Sequence, residues 1–371
     1  MRTEFSEGQE QFRDVVARFL QDKSPPAEVR RLMATEHGFD RDVWQQMTAE
    51  IGLAGTHLPE ECGGFGYGPV ELGIVAEEMG RYLYCGPFFA SSVMAGYALL
   101  LSGVDSAKQS LLTEIASGSV IASLVLDNLN SPELTGTGIR AKNGFLSGTA
   151  SLVLDAQNAD RLVVIATTKE TLGLYALSPV TDGVIVSPIE VMDPTRKLAS
   201  VSFDHVVATK IGELSSGLLN LLWDHICVAL AHEMIGGAQH LFDKTIEYTK
   251  LRYQFGRPIG SFQGLKHRCA DLLMELEFAK AVTHHAAFCL EADADDPDAE
   301  PYAASMAKAL AADVYVKAAK EAIQMRGGIG FTWEEDTHLW FKRAKSSEVF
   351  MGTPSMHRER MMVQLGSEAV A

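Results

Sequence analysis

The chain has 371 residues, 47% of them hydrophobic, so it is long enough to bury a large core and to form two or three domains. Its 48 acidic residues outnumber its 32 basic residues, and the formal charge of −16 argues against nucleic acid or an anionic membrane surface as a partner. We therefore expect the ligand to be a small molecule.

Cysteine usage and the N-terminal segment indicate the compartment. None of the cysteines has CxxC or zinc-type spacing, which predicts a reduced cytoplasmic protein without a structural metal. They are Cys62, Cys85, Cys227, Cys269 and Cys289. The N-terminus is polar, and the longest apolar run, VMAGYALLL, is too short to span a bilayer. We expect a soluble protein that does not enter a membrane.

The first segment, residues 1–118, has the apolar spacing of α-helices. The repeating positions include Phe12, Val15, Val16, Phe19, Val43, Met47, Ile74, Val75 and Met79. A stretch from His57 to Gly68 interrupts this pattern, and its glycines predict a loop with positive φ angles. The pattern predicts an N-terminal helical domain.

The pattern changes in residues 119–211, where short runs rich in β-branched residues are separated by turn signals such as Lys142-Asn143-Gly144. No helix-length pattern lies between these runs, so we expect a small antiparallel barrel or sandwich rather than alternating strands and helices. This segment is the predicted middle β-domain.

Helical spacing returns in residues 212–371. Ser215 or Ser216 can cap a long helix, and two further helices end near Leu290 and Met325. A fourth helix begins after Gly330, so the segment is predicted to form a four-helix bundle. The predicted fold class is α+β, mostly α.

Three motifs resemble signatures of the acyl-CoA dehydrogenase family. The stretch from Arg252 to Gln263, RYQFGRPIGSFQ, is similar to the family's R-x-Q-F-G-x-x-I-x-x-F-Q signature. Residues Gln324 to Phe331, QMRGGIGF, are similar to Q-x-x-G-G-x-G-[YF], and Pro59 to Gly66 is similar to the P-E-x-x-G-G-x-G loop. The three occur in the family's order, and they extend the resemblance over nearly the whole chain.

The resemblance implies FAD as the cofactor and an acyl-CoA as the substrate. In the family, a base removes an α-proton while the flavin takes hydride from the β-carbon, and an electron-transfer flavoprotein reoxidises the flavin. FAD lies where two subunits meet, and the C-terminal bundle of one chain reaches the flavin held by its neighbour. The implied cofactor-binding residues are Arg252, Gln254, Phe255, Gln324, Gly327, Gly328 and Thr353.

The chain lacks a glutamate at both positions where the family keeps its base. Met351 stands at the usual position, in Phe350-Met351-Gly352-Thr353, and Ile226 stands at the alternative position on the preceding long helix. Glu233 lies two turns after Ile226 on the same face, so it is the leading candidate for a substitute base. Asp224 and His225 point elsewhere on this helix and are weaker candidates.

The β-segment also departs from the family. Members carry a flavin-gripping T-E-P-x-x-G-S-D stretch and a W-I-T-like segment, whereas the corresponding strands here read Ala122–Asp127 and Ala150–Asp155. Some bacterial relatives that act on steroid side chains are tetramers of two unlike chains, only one of which carries the base. The chain resembles the incomplete partner of such a dimer of dimers. A homo-oligomer that uses an unusual base, a non-catalytic scaffold, and an oxidase or monooxygenase on the same fold remain alternatives.

Overall fold

The computed structural model describes residues 5–103, 105–127, 138–169, 171–291 and 300–368. Helices come first and last in the chain, and a sheet lies between them. The helices are α1 (Glu7–Lys23), α2 (Pro26–Met33), α3 (Arg41–Gln45), α4 (Pro69–Arg81), α5 (Gly96–Leu101), α6 (Ser106–Ala116), α7 (Ser216–Leu251), α8 (Gln263–Glu291), α9 (Ala303–Arg326), α10 (Thr337–Val349) and α11 (Pro354–Glu368). The predicted fold class, α+β and mostly α, is confirmed.

The strands are β1 (Ala122–Val125), β2 (Arg140–Lys142), β3 (Phe145–Leu154), β4 (Arg161–Thr167), β5 (Leu172–Leu177), β6 (Val184–Ile189), β7 (Leu198–Val207) and β8 (Thr209–Leu214), with β9 (Tyr253–Gln254) and β10 (Arg257–Pro258) forming a separate hairpin. The first eight form one sheet in the order β6-β7-β3-β2-β4-β5-β8, with β1 beside β4. Most pairs are antiparallel as expected, but β4 pairs parallel with both β1 and β2.

By packing, the chain divides into two compact units. One, which we call the helical unit, takes the described residues of Met1–Glu28, Gly73–Tyr84 and Cys227–Ala371; the other, the mixed unit, takes those of Val29–Leu72 and Cys85–Ile226. Secondary structure changes near the predicted boundaries of 1–118, 119–211 and 212–371, yet the packing units interleave along the chain. The three-domain division stays a prediction.

In the mixed unit, the sheet buries alternate residues in an apolar core. The core includes Val125, Leu146, Val153, Leu162, Val164, Val201 and Phe203. The predicted loop at His57–Gly68 is also present, with φ of 76° at Gly63 and 65° at Gly66. Gly64 must lack a side chain, because a Cβ there would lie 2.1 Å from the carbonyl oxygen of Leu58.

The helical unit is held together by close helix contacts. A Cβ on Gly80 of α4 would lie 1.8 Å from the carbonyl oxygen of Glu233, and one on Gly236 of α7 would lie 1.7 Å from that of Glu77. The α4 and α7 backbones therefore touch directly. α9 packs against α8, α10 and α11.

Among its described residues, the C-terminal part has five helices, α7 to α11, whereas four were predicted from the sequence. The predicted last helix is divided in two because Met351 and Gly352 have positive φ angles of 60° and 95°. The predicted cap of α7 is present: the Ser215 hydroxyl accepts a hydrogen bond from the Leu218 amide at 3.2 Å.

α7 is long and apolar enough to span a bilayer by length and composition, but 78% of its most apolar window is buried inside the protein. This is the burial expected of a core helix.

Candidate functional site

A short hairpin follows α7 and carries the first family motif. Strands β9 and β10 pair antiparallel, and the turn between them places Phe255 and Gly256 at φ of 54° and 77°. Phe255 is 91% exposed at the tip of this turn. Arg252 precedes the hairpin and is exposed, and within the described ranges its guanidinium makes no ion pair or side-chain hydrogen bond. It is therefore available to a ligand or to another chain.

The end of α9 carries the second motif. Gln324 is exposed, and the next residues include Gly327, whose φ of 64° ends the helix. A Cβ added to Gly327 or Gly328 would meet no atom within 4 Å, whereas one on Gly330 would lie 2.8 Å from the Ile323 carbonyl oxygen. Packing within the chain thus explains Gly330 but not Gly328. An exposed backbone without side chains is suited to close approach by a ligand.

Arg326 ties this end of α9 to the last turns of α7. Its guanidinium donates to the Thr245 hydroxyl and the Lys244 carbonyl, each at 3.2 Å, and lies 5.1 Å from the centroid of the Tyr248 ring. Arg326 is only 8% exposed, so it has a structural role. It fixes the helix end that presents Gln324 and the glycines relative to the helix that leads into the hairpin.

These side chains fit one half of a flavin dinucleotide. The planar guanidinium of Arg252 can donate paired hydrogen bonds to phosphate oxygens, and the amide of Gln324 can both donate and accept. When bound, FAD supplies the hydride acceptor; the helical unit would contribute Arg252, Gln324 and the backbone at Gly327 and Gly328.

The two strand segments that correspond to the family's flavin-binding stretches have fewer polar side chains free to contact a flavin than the two motifs of the helical unit. All four residues of β1 are buried, and the Ser123 hydroxyl is used within the sheet, donating to the Leu154 carbonyl at 2.7 Å. Asp155 is also buried, and its carboxylate accepts a hydrogen bond from the Asn158 amide at 3.0 Å. The side chains of Ser123 and Asp155 are therefore committed to the protein itself.

Met351 occupies the usual base position and is completely buried, with no exposed surface. The His357 ring donates through Nε2 to the Met351 carbonyl at 2.8 Å, and the buried Lys308 donates to the Gly352 carbonyl at 3.1 Å. Burial lowers the pKa of His357 to about 3, so this ring is neutral at physiological pH. A buried polar network therefore holds the turn at Met351 and Gly352. The Met351 side chain itself cannot accept a proton.

Glu233, the predicted substitute base, is buried and ion-paired. Its carboxylate lies 2.7 Å from the Arg343 guanidinium, and Arg343 also donates to the Tyr84 carbonyl at 3.5 Å. Such a pair fixes the carboxylate as an anion bound to a cation, which favours a structural role. The assignment of Glu233 as the base stays a prediction. Ile226, at the alternative base position, is 1% exposed.

Two other predicted cofactor residues have local contacts. Thr353 is half-buried at the start of α11, where its hydroxyl accepts from the Met356 amide at 3.4 Å. The exposed Gln254 amide donates to the Tyr253 carbonyl at 2.8 Å. Their contribution to cofactor binding stays a prediction.

A second buried polar cluster lies in the helical unit. Glu77 Oε2 is 3.0 Å from His284 Nε2 and 3.6 Å from His232 Nδ1, and Glu77 Oε1 is 3.7 Å from the Arg13 guanidinium. The Glu77 and histidine atoms are close enough to share a metal ion. Because Arg13 already supplies a cation, the cluster balances its charge without one, and the predicted lack of a structural metal stays a prediction.

The residues that support the site were not predicted from the sequence; they are Lys308, Arg326, Arg343 and His357. Each carries a polar group within a helical apolar pattern, and that position was the only available signal. Their partners come from distant segments, so the sequence alone did not reveal them.

Comparisons with known proteins agree with this geometry. The family model "Acyl-CoA dehydrogenase, N-terminal domain" matches residues 6–119, and "Acyl-CoA dehydrogenase, C-terminal domain" matches residues 224–366. The acyl-CoA dehydrogenase IpdE2 of Mycobacterium tuberculosis is 34% identical over 348 residues, which cover 94% of each chain. IpdE2 of Mycolicibacterium smegmatis is 33% identical, covering 97% of this chain and 99% of the relative.

FadE34 of Mycobacterium tuberculosis is 32% identical over 85% of this chain but only 42% of its own length. Among solved structures, a variant of the Tcur3481–Tcur3483 steroid acyl-CoA dehydrogenase has a TM-score of 0.88 at 25% identity, covering 98% of this chain and 99% of that one. The ChsE4–ChsE5 complex of Mycobacterium tuberculosis also has a TM-score of 0.88, at 24% identity over 99% of each chain.

The cofactor of this flavoprotein family is FAD, and its members oxidise acyl-CoA thioesters. From the two matching domain models and the full-length similarity to IpdE2, the chain belongs to the acyl-CoA dehydrogenase family.

Proposed function

We propose that this chain is the base-lacking partner in a heteromeric acyl-CoA dehydrogenase that converts an acyl-CoA thioester to its α,β-unsaturated product. The observation that carries the proposal is a contrast between the residues at the cofactor motifs and those at the two base positions. Arg252 and Gln324 are exposed donors at the cofactor motifs, whereas Met351 and Ile226 are buried apolar residues at the base positions.

In the proposed assembly, this chain completes a flavin site held mainly by the unlike chain. Arg252 binds the pyrophosphate, and the backbone at Gly327 and Gly328 allows the cofactor to approach closely. The unlike chain supplies the carboxylate that removes the α-proton. Electrons then pass to an electron-transfer flavoprotein.

The relatives support a heteromer and a bulky substrate. The ChsE4–ChsE5 structure is a complex of two differently named chains, and the Tcur3481–Tcur3483 enzyme is described as a steroid enzyme. FadE34 matches 85% of this chain with 42% of its own length, so it is about twice as long and has room for a second unit of this size. We extend this to a cytoplasmic tetramer of two chains of each kind in steroid or lipid breakdown.

The test is to co-express this chain with the product of a neighbouring gene and to record the visible absorption spectrum of the purified complex. Arg252→Ala should lower the flavin content at least tenfold, because the phosphate loses a charge-assisted partner worth roughly 1.5–3 kcal/mol. Arg18→Ala is the matched control, since Arg18 is 79% exposed on α1, outside both motifs. Turnover is measured as reduction of an artificial electron acceptor with acyl-CoA.

If Arg252→Ala keeps its flavin, the chain is a scaffold that does not complete the cofactor site. If the complex forms hydrogen peroxide stoichiometrically with substrate, the enzyme is an oxidase. That alternative is retained because the same fold occurs in the prolyl acyl carrier protein oxidase AnaB, at a TM-score of 0.82.

A further inference from the structure

The mixed unit contains a stack of three polar aromatic rings, which we call the ring stack: His57, Tyr97 and His225. His57 comes from the predicted glycine-rich loop, Tyr97 from α5, and His225 from the first turns of α7. The ring centroids of His57 and Tyr97 are 4.4 Å apart, and those of Tyr97 and His225 are 4.2 Å apart at an interplanar angle of 23°. Three separate segments thus bring these rings together.

Three ring nitrogens of the stack lack hydrogen-bond partners. Within the described part of the chain, neither Nδ1 nor Nε2 of His57 makes a hydrogen bond, and Nδ1 of His225 makes none. The Ser92 backbone favours the charged form of His57, but its effect on the pKa is smaller than that of burial, and the contact does not reach hydrogen-bond geometry. Buried polar atoms in native proteins are usually bonded to protein, water or ligand. The unpaired nitrogens therefore need a partner that comes from outside the chain.

Both histidines of the stack are neutral at physiological pH. Burial, reinforced by the proximity of His225, lowers the pKa of His57 to about 3, and burial lowers the pKa of His225 to about 4. A neutral imidazole has one N–H donor and one acceptor nitrogen. The two rings together therefore suit an uncharged group that can both donate and accept, such as a hydroxyl, or accept, such as a ketone.

The position of the stack relates it to the substrate. His225 directly precedes Ile226, the position at which some family members carry the base that takes the substrate's α-proton. His225 is half-buried, whereas His57 is 7% exposed, so burial increases from the His225 end of the stack to the His57 end. Gly96 leaves space for the inner ring, because a Cβ there would lie 3.3 Å from His57 Nε2.

We propose that the ring stack is a polar subsite that hydrogen-bonds a hydroxyl or keto oxygen carried by the acyl group of the substrate. This inference rests on the proposed acyl-CoA function and narrows it to acyl groups with an uncharged oxygen substituent. The imidazole nitrogens hold that oxygen, and the stacking against Tyr97 fixes the orientation of both histidine rings.

The test uses the full chain co-purified with its partner and measures dissociation constants for matched CoA thioesters. Each set contains an alkyl, an ω-hydroxyalkyl, a keto and an ω-carboxyalkyl acyl group, in a series of chain lengths and with one ring-containing set. We expect the hydroxyl or keto thioester to bind about tenfold more tightly than its alkyl counterpart, which is the effect of about one net hydrogen bond.

His57→Leu and His225→Leu should remove this preference, and His225→Gln, which keeps a donor and an acceptor, should restore part of it. Tyr175→Phe is the matched control, because it deletes a ring hydroxyl from the sheet core of the same unit, where Tyr175 is 6% exposed. His57→Leu should not lower the melting temperature, since it removes unpaired nitrogens rather than a bonded group. A large drop in melting temperature would indicate a structural stack and would contradict the proposal.

The outcomes separate this inference from the proposed function. Binding of acyl-CoA without any preference for an oxygen substituent overturns the subsite alone. A preference for the carboxylate overturns the assignment of an uncharged ligand. If no CoA thioester binds to the complex at all, both the subsite and the acyl-CoA function are wrong.

Discussion

The end of α9 and the turn after α10 belong to the same helical unit, but the first exposes a cofactor motif of the family whereas the second buries the position of the family's base. At the end of α9, Gln324 and the two glycines are exposed and have open space around them. At the turn, Met351 has no exposed surface, and its carbonyl accepts a hydrogen bond from His357 at 2.8 Å. Cofactor contact and proton transfer can therefore be lost independently, because they depend on different segments of the fold.

The first prediction tests whether the turn is closed. Met351→Glu should lower the free energy of unfolding by about 4 kcal/mol at neutral pH, because a buried carboxyl group without a partner must be protonated to remain inside. Met351→Leu conserves volume and should cost less than about 1.5 kcal/mol. Urea unfolding of both variants gives the comparison. If Met351→Glu and Met351→Leu were equally stable, residue 351 would face an open cavity. The turn would then not be closed, and it would not differ from the exposed end of α9.

The second prediction concerns the paired carboxylate. Glu233→Gln should destabilise the protein by about 3 kcal/mol, because it leaves the buried Arg343 without its anion. Glu233→Gln combined with Arg343→Met should recover much of this loss. Chemical denaturation measures the stabilities, and turnover of the complex is measured in parallel. A Glu233→Gln variant of unchanged stability that has lost all turnover would instead identify Glu233 as the base.

The third prediction concerns Glu78, whose pKa is raised from 4.5 to about 7 by burial and by the charge of Glu77, against the opposing effect of Arg13, Arg81 and Lys280. Between these values the folded protein holds a proton that the unfolded chain releases, so stability falls as pH rises through this window. Above pH 7 the ionised Glu78 lowers the free energy of unfolding by its full amount, about 3 kcal/mol at most.

Glu78→Gln should therefore be more stable than the wild type above pH 7 and should differ little from it below pH 4.5. Thermal unfolding across this range measures the difference. Glu247→Gln is the control, since that side chain is 60% exposed. A constant difference between Glu78→Gln and the wild type at every pH would contradict the raised pKa.

The smallest effect on stability is expected at the hairpin tip. Phe255→Asn should change the free energy of unfolding by less than about 0.5 kcal/mol, because the side chain is almost fully exposed and asparagine tolerates a positive φ. If the hairpin contacts the cofactor or the unlike chain, the same variant should weaken flavin retention in the complex. Unchanged flavin content would remove Phe255 from the cofactor contacts.

The sequence predicted the periodic parts of the fold well. The start of α7 and the C-terminal ends of α8 and α9 lie within about two residues of their predicted positions, because capping residues, long amphipathic patterns and glycine stops are local signals. The parallel pairing of β1 with β4 was missed, since register between strands distant in sequence has no local signal. The break at Met351 was also missed, because a positive φ at a methionine is rare.

For the site, the motifs predicted which side chains are exposed to a ligand, but not which side chains are paired with other residues of the chain. Arg252 and Gln324 are exposed as a cofactor role requires. Glu233 was proposed as a base because it lies two turns after Ile226 on the same helix face, but its partner Arg343 lies 110 residues later in the chain. The unpaired nitrogens of the ring stack were equally invisible, since they follow from three separate segments.

Gly80 and Gly236 bring the backbones of α4 and α7 into direct contact. Two helices that touch backbone to backbone have no flexible side chains between them to absorb a displacement. We therefore expect α4 and α7 to move as one rigid body, so that a displacement of Glu77 in α4 is accompanied by a displacement of Glu233 in α7. An alanine at either glycine would push the two helices apart and uncouple the movements of Glu77 and Glu233, even though no charged residue is substituted.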